Sequence, residues 1–126
     1  RLCGAYCVSQ GMPPARPSDD AQERLQNLTL ELRRGSLPLA VLAALRAEHY
    51  GYTLRRVLAE RGLEIDEGTL YPLLRRLEAQ GLLASSWREE ESRPRRYYRL
   101  SPYGKAVLQA LAAEWRRLGT ALEEIL

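Results

Sequence analysis

Asp66-Glu67-Gly68-Thr69-Leu70-Tyr71-Pro72-Leu73-Leu74-Arg75-Arg76-Leu77-Glu78-Ala79-Gln80-Gly81 is the stretch whose reading decides the fold. Leu70, Leu73, Leu74 and Leu77 recur at the i, i+3, i+4, i+7 spacing of a helix with one apolar face. Asp66 is a good N-cap, and Gly81 stands where a left-handed residue ends a helix. The outward face carries Gly68, Pro72, Arg75, Arg76 and Ala79, flanked by Thr69 and Tyr71. It is small, smooth and cationic, with hydroxyls near the helix start. Such a face suits the major groove, where a helix must approach closely and phosphates reward positive charge. An ordinary solvent-facing helix is the competing reading. Pro72 falls beyond the first turn of a helix capped at Asp66 and lacks one backbone donor. The helix is therefore expected to start later, near Thr69, or to be distorted at its start.

The neighbouring segments give this helix its context. Upstream, Thr53 to Arg61 reads as a short helix with Leu54, Val57 and Leu58 inward and Arg55 and Arg56 outward. Gly62 ends it, and Leu63-Glu64-Ile65 is a tight link, which makes a helix-turn-helix. Downstream the period changes. Leu82 to Arg88 and Arg95 to Leu100 read as two strands joined by Glu89-Glu90-Glu91-Ser92-Arg93-Pro94, with Trp87, Tyr97 and Tyr98 favouring strand. Arg93, Arg95, Arg96 and Arg99 make this hairpin basic, as in a wing that lies on the DNA backbone or in the minor groove. Glu89 to Glu91 would repel phosphate and are expected to point away or to meet a partner. A plain exposed hairpin is the alternative.

Farther out, Asp19 and Asp20 can cap a helix over roughly 21 to 34, with Leu25, Leu28 and Leu32 in one stripe. Gly35 interrupts it. Ser36 can cap the next helix, with Pro38 near its first turn. Leu39, Val41, Leu42 and Leu45 make that helix apolar almost all round, so it is expected to be the buried centre, ending near His49. Ser101-Pro102 starts a last helix to about Leu126. Val107, Leu108, Leu111, Trp115, Leu118, Leu122 and Ile125 follow near-heptad spacing along it. This stripe is more than a small domain can cover, and pairing with a second copy would bury it. The expected dimer contacts are Leu108, Leu111, Trp115, Leu118 and Leu122. Residues 1 to 18, with Pro13, Pro14 and Pro17, read as a flexible extension, and Met12 is a candidate natural start.

With 126 residues, one domain is expected. Between Arg33 and Lys105 there are fourteen Lys or Arg against nine Asp or Glu, so the basic excess lies where nucleic-acid binding needs it. Cys3 and Cys7 have no Cys or His companions nearby, and His49 is the single histidine, so no metal site is expected. No nucleophile-base-acid pattern, carboxylate pair or phosphate-cradling glycine loop is visible, which argues against an enzyme. No run approaches a transmembrane helix, and residues 1 to 11 make no convincing signal peptide; a reducing cytoplasm is the expected location.

Gly51-Tyr52-Thr53-Leu54, the segment Gly68 to Glu78, Gly81-Leu82-Leu83, and Arg93 to Ser101 followed by Gly104 together resemble the PadR family of bacterial winged-helix regulators. The resemblance spans roughly Leu30 to Leu126, and its single C-terminal helix is similar to the short subfamily. The resemblance implies a homodimeric, ligand-responsive transcriptional regulator, usually a repressor, on a roughly palindromic operator. The acidic run Glu89 to Glu91 departs from the family pattern at the wing.

The expected architecture is mainly α with a small β-hairpin wing (α+β). It divides into an extension (1–18), a winged helix-turn-helix domain with an N-terminal helix (19–101) and a C-terminal dimerisation helix (102–126). The candidate DNA-binding residues are Tyr52, Thr69, Tyr71, Pro72, Arg75, Arg76, Arg93, Arg95 and Arg96. The partners expected are double-stranded DNA and a second copy of the chain; a small hydrophobic or aromatic effector held by Trp115, Leu111, Leu118 and Leu25 is a further candidate, with Trp115 simply filling the dimer core as the favoured alternative. A winged-helix module that binds protein rather than specific DNA is the rival.

Overall fold

The structure, a computed structural model, describes residues 19–126; the extension, Cys3, Cys7 and Met12 lie outside the described residues. The elements in chain order are α1 (Asp19–Arg34), α2 (Leu37–Ala44), β1 (His49–Tyr50), α3 (Gly51–Glu60), α4 (Glu67–Ala79), β2 (Leu83–Glu90), β3 (Arg93–Leu100) and α5 (Pro102–Ile125). The core forms where the apolar faces of α2, α3 and α4 meet. Val41, Leu42, Leu45, Leu54, Leu70 and Leu74 are all fully buried there. Leu73 and Leu77 complete the buried face of α4. Each such side chain contributes about 1.5–3 kcal/mol of apolar burial, so the leucine face is the main attraction that holds α4 against the core.

α2 stops at Ala44, earlier than its apolar composition suggests. The backbone tightens there: the Arg46 amide donates to the Ala43 carbonyl at 3.3 Å, and Arg46 Nε caps the same oxygen at 3.1 Å. His49 and Tyr50 are then drawn into the sheet as β1, opposite Tyr98 and Tyr97. The wing is thus a three-stranded antiparallel sheet in the order β1-β3-β2, where the sequence suggested two strands. The ladder also runs farther than expected, through Glu89↔Pro94 and Glu90↔Arg93. Only Glu91 and Ser92 form the turn, with φ of 52° and 65°. These positive angles at both central residues are those of the hairpin turn that matches strand twist.

α4 begins at Glu67 with Pro72 inside it, not at Thr69. Proline removes the donor that would meet the Gly68 carbonyl. That carbonyl lies in the first turns of an exposed face, so water can serve it. Gly81 ends the helix region with φ of 81°.

At the other end, Ser101 caps α5: its Oγ accepts from the Gly104 amide at 2.9 Å and donates to the Gly81 carbonyl at 2.7 Å. Leu108 is 7% exposed and belongs to this chain's own core, so it cannot share the outward role expected for the stripe as a whole. The outward portion starts at Leu111 and continues through Trp115, Leu118, Leu122 and Ile125, all exposed. α1 has no buried residue.

Candidate nucleic-acid interface

α3, the turn 61–66 and α4 form the helix-turn-helix. Three polar contacts fix its turn. Arg55 Nε donates to the Ile65 carbonyl at 3.2 Å, and its Nη1 reaches Glu67 at 3.2 Å. Arg33, arriving from α1, donates to the Glu64 carbonyl at 3.1 Å. Asp66 Oδ1 accepts from the Thr69 amide at 3.2 Å, and hydrogen bonding from Thr69, its side-chain hydroxyl first and its amide second, holds the Asp66 carboxyl below its usual value. An anionic cap at this end also suits the positive pole of the helix dipole.

The outward face of α4 shows Thr69, Pro72, Arg75 and Arg76 to solvent. Among the described residues neither arginine has a carboxylate partner. Tyr71 is turned partly inward. A Cβ at residue 51 would collide with its ring, so Gly51 permits the close approach of α3 to α4 at this point. Tyr52, beside it, is 58% exposed, stacks on Tyr50 at 6.4 Å and has the Arg56 guanidinium 5.8 Å from its ring centre.

The wing arginines divide into two sets. Arg95 Nη1 donates to the Tyr50 hydroxyl at 2.6 Å, and Arg95 also pairs with Glu90 at 3.9 Å and Glu91 at 3.7 Å. Arg96 is drawn toward α4. Its Nη2 donates to Glu78 at 2.8 Å, its Nε to Ser85 Oγ at 3.1 Å, and Ser85 Oγ donates in turn to Glu78 at 2.7 Å. Arg93 remains exposed at the tip without a carboxylate partner among the described residues. The acidic run is used inside the wing: Glu90 accepts from the Tyr97 hydroxyl at 2.7 Å, which raises the Tyr97 pKa. Arg88, whose pKa is raised by its hydrogen bond from Nη2 to Glu48 at 2.6 Å, lies over the Tyr97 ring at 4.2 Å.

Between α4 and the wing runs an open cleft of about 600 Å³, lined by Tyr50, Gly51, Tyr52, Tyr71, Arg75, Trp87, Arg93, Pro94, Arg95, Arg96 and Tyr98. It gathers six of the nine candidate DNA-binding residues. Thr69, Pro72 and Arg76 lie on α4 outside its lining. Among the described residues no carboxylate lines it. Trp87, legible in the sequence only as a strand former, stands 64% exposed in this cleft. Glu78 stands in the sequence only as part of a helix pattern; its partner Arg96 lies 18 residues away, which no local spacing signals.

Elsewhere, between α5 and the α1–α2 junction, Leu111, Trp115 and Leu118 line an apolar cleft of about 410 Å³ with Leu32, Pro38, Leu39 and Leu122. Leu25, grouped with them from the sequence, is not in its lining. Among the described residues no helix is long and apolar enough to cross a membrane.

The sequence profile of the family described as "Transcriptional regulator PadR-like family" matches residues 39–110. The chain is 43% identical over 96 residues to the transcriptional regulator Rv3488 of Mycobacterium tuberculosis, covering 75% of this chain and 83% of that protein. The crystal structure of a PadR family transcriptional regulator from Eggerthella lenta DSM 2243 superposes with a TM-score of 0.82 at 44% identity, over 86% of this chain and 96% of that one. A PadR family regulator from Clostridium difficile R20291 gives 0.65 at 27% identity, over 71% and 97%. The match extends over more than the helix-turn-helix: it takes in α2, the wing and the start of α5, so this winged-helix chain belongs to the PadR-like family of transcriptional regulators and is built for DNA-binding regulation.

Proposed function

We propose that the protein is a ligand-responsive repressor that binds a pseudo-palindromic operator as a homodimer. The observation that carries the DNA surface is the set Arg75, Arg76 and Arg93. Among the described residues these three are exposed and without carboxylate partners, and Arg75 and Arg93 border a cleft that no described acid lines. Arg75 and Arg76 serve phosphates or base edges in the major groove, Thr69 and Tyr71 the backbone near the helix start, with Pro72 and Tyr52 beside them. Arg93 serves the backbone at the wing. Arg95 and Arg96 contribute field and shape more than direct contact, because their guanidiniums already have partners. Support for the dimer comes from two exposed apolar stripes, Leu25, Leu28 and Leu32 on α1 and Leu111 to Ile125 on α5. The division into a DNA-binding unit (19–101) and a dimerisation helix (102–126) follows from this reading. The effector reading rests on the cleft at Trp115, whose apolar lining suits a flat hydrophobic compound. A ligand there changes operator affinity only if it binds the two dimer states unequally.

The test begins with a duplex recovered by selection from a random pool, which also reports half-site spacing. Arg75→Ala or Arg76→Ala should weaken binding to it by about 1–3 kcal/mol where the arginine reads a base edge. Arg93→Ala should lower the salt slope by about one unit. Unchanged specific and non-specific binding in the triple variant overturns the assignment.

A further inference from the structure

The cleft between α4 and the wing has aromatic walls as well as a cationic rim, and the walls are not explained by phosphate binding. Trp87 sits in mid-strand opposite Arg96, on the wing face that looks toward α4. A tryptophan at this position would ordinarily pack down onto the core; here 64% of it stays in solvent. Its orientation is nevertheless fixed. The Arg96 guanidinium lies 5.5 Å from the Trp87 ring centre and 5.5 Å from the Tyr98 ring centre. Glu78 and Ser85 hold that guanidinium in turn. The indole therefore rests on a braced platform, and Tyr52 stands at the same cleft.

We infer that Trp87 is a non-ionic contact of the DNA surface, packing its indole face on deoxyribose at the edge of the groove that the wing follows. The inference rests on the DNA-binding reading above and adds to it a residue and a kind of contact. Phosphates leave the apolar faces of the sugars uncovered, and an oriented indole can cover one with little loss of side-chain freedom. Arg75 and Arg93, bordering the same cleft, hold the flanking phosphates. Trp87 therefore contributes affinity that salt does not screen, whereas the arginines contribute affinity that salt does.

The experiment compares wild type, Trp87→Ala and Trp87→Phe on the selected duplex across a salt series. Trp87→Ala should bind about tenfold more weakly, the size of an aromatic contact on nucleic acid. Its salt slope should equal that of wild type, because no charge is lost. Trp87→Phe should recover most of the affinity. DNA should also quench tryptophan emission in wild type and leave Trp87→Phe unquenched, since Trp115 is then the only tryptophan. Equal affinity of Trp87→Ala and wild type overturns the inference, as does emission indifferent to saturating DNA. A loss accompanied by a lower slope means that the wing has come apart, which also overturns it and leaves Trp87 as hairpin packing. Failure of the DNA reading itself looks different: wild type would then recover no duplex at all.

Discussion

Replacing Gly104 by alanine should destabilise the protein, although alanine is the better helix former. Gly104 lies in the first turn of α5 and is buried. A Cβ there would collide with the Leu82 carbonyl oxygen, and would stand 3.0 Å from the Leu82 carbonyl carbon and 2.9 Å from Leu100 Cδ1. Leu100 can rotate away, but the Leu82 backbone cannot yield so easily, because its carbonyl accepts from the Ser101 amide at 3.1 Å. Overpacking of this kind costs about 1–3 kcal/mol. Losing the Ser101 bond adds about 0.5–1.5 kcal/mol. Against this, alanine gains about 0.8–1.0 kcal/mol over glycine in a helix. The collision wins, with a net loss of about 0.5–3.5 kcal/mol. Urea unfolding of wild type and Gly104→Ala, followed by far-ultraviolet circular dichroism, measures it. A Gly104→Ala protein as stable as wild type, or more so, would refute the close approach of α5 to the wing root.

Three further outcomes follow from the geometry. Ser92→Gly should raise the unfolding midpoint by relieving a positive φ, a gain of about 0.5–1 kcal/mol after the entropy of glycine in the unfolded chain is subtracted; a lower midpoint would mean that the turn has another form. Glu78→Ala and Arg96→Ala should each cost about 1 kcal/mol and the double variant little more than either, in a double-mutant cycle of denaturant stability; additive losses would show that the pair does not couple wing to α4. Because the folded Asp66 carboxyl is held below its ordinary value of 3.8, its cap contributes fully above that value and is lost as pH falls through the lower, folded one. Acid should therefore erode wild type more steeply than Asp66→Ala below about pH 3.8, and parallel acid curves would remove the cap from the account.

The legible parts of this fold were those written in local periodicity. Leu70, Leu73, Leu74 and Leu77 announce a buried helix face, while Asp66 and Gly81 mark its ends; all six do what their spacing predicts. β1 escaped because two residues carry no period, and their partners in β3 lie nearly fifty positions away. The wing turn looked longer than it is because Glu89, Glu90, Arg93 and Pro94 are polar or ring-bound. Their cross-strand pairing is a tertiary fact. The same blindness affected the site. A list of arginines does not say which already have partners, and Glu78 and Tyr50 take Arg96 and Arg95 from positions 18 and 45 residues distant. Nor could the apolar stripe of α5 say that Leu108 serves its own chain while Leu111 does not.

Tyr50 pairs with Tyr97 in the sheet, and the very next residue, Gly51, opens α3. The Thr53 hydroxyl donates back to the Tyr50 carbonyl at 3.0 Å across this joint. No spare residue lies between sheet and helix to serve as a pivot. The Glu78–Arg96 pair ties the middle strand of the same sheet, β3, to α4. α3, α4 and the wing are thus joined at both places, and under the DNA-binding reading proposed above a tilt of one is expected to carry the others. In the dimer proposed above, the quantity left to adjust would then be the distance and angle between two such blocks.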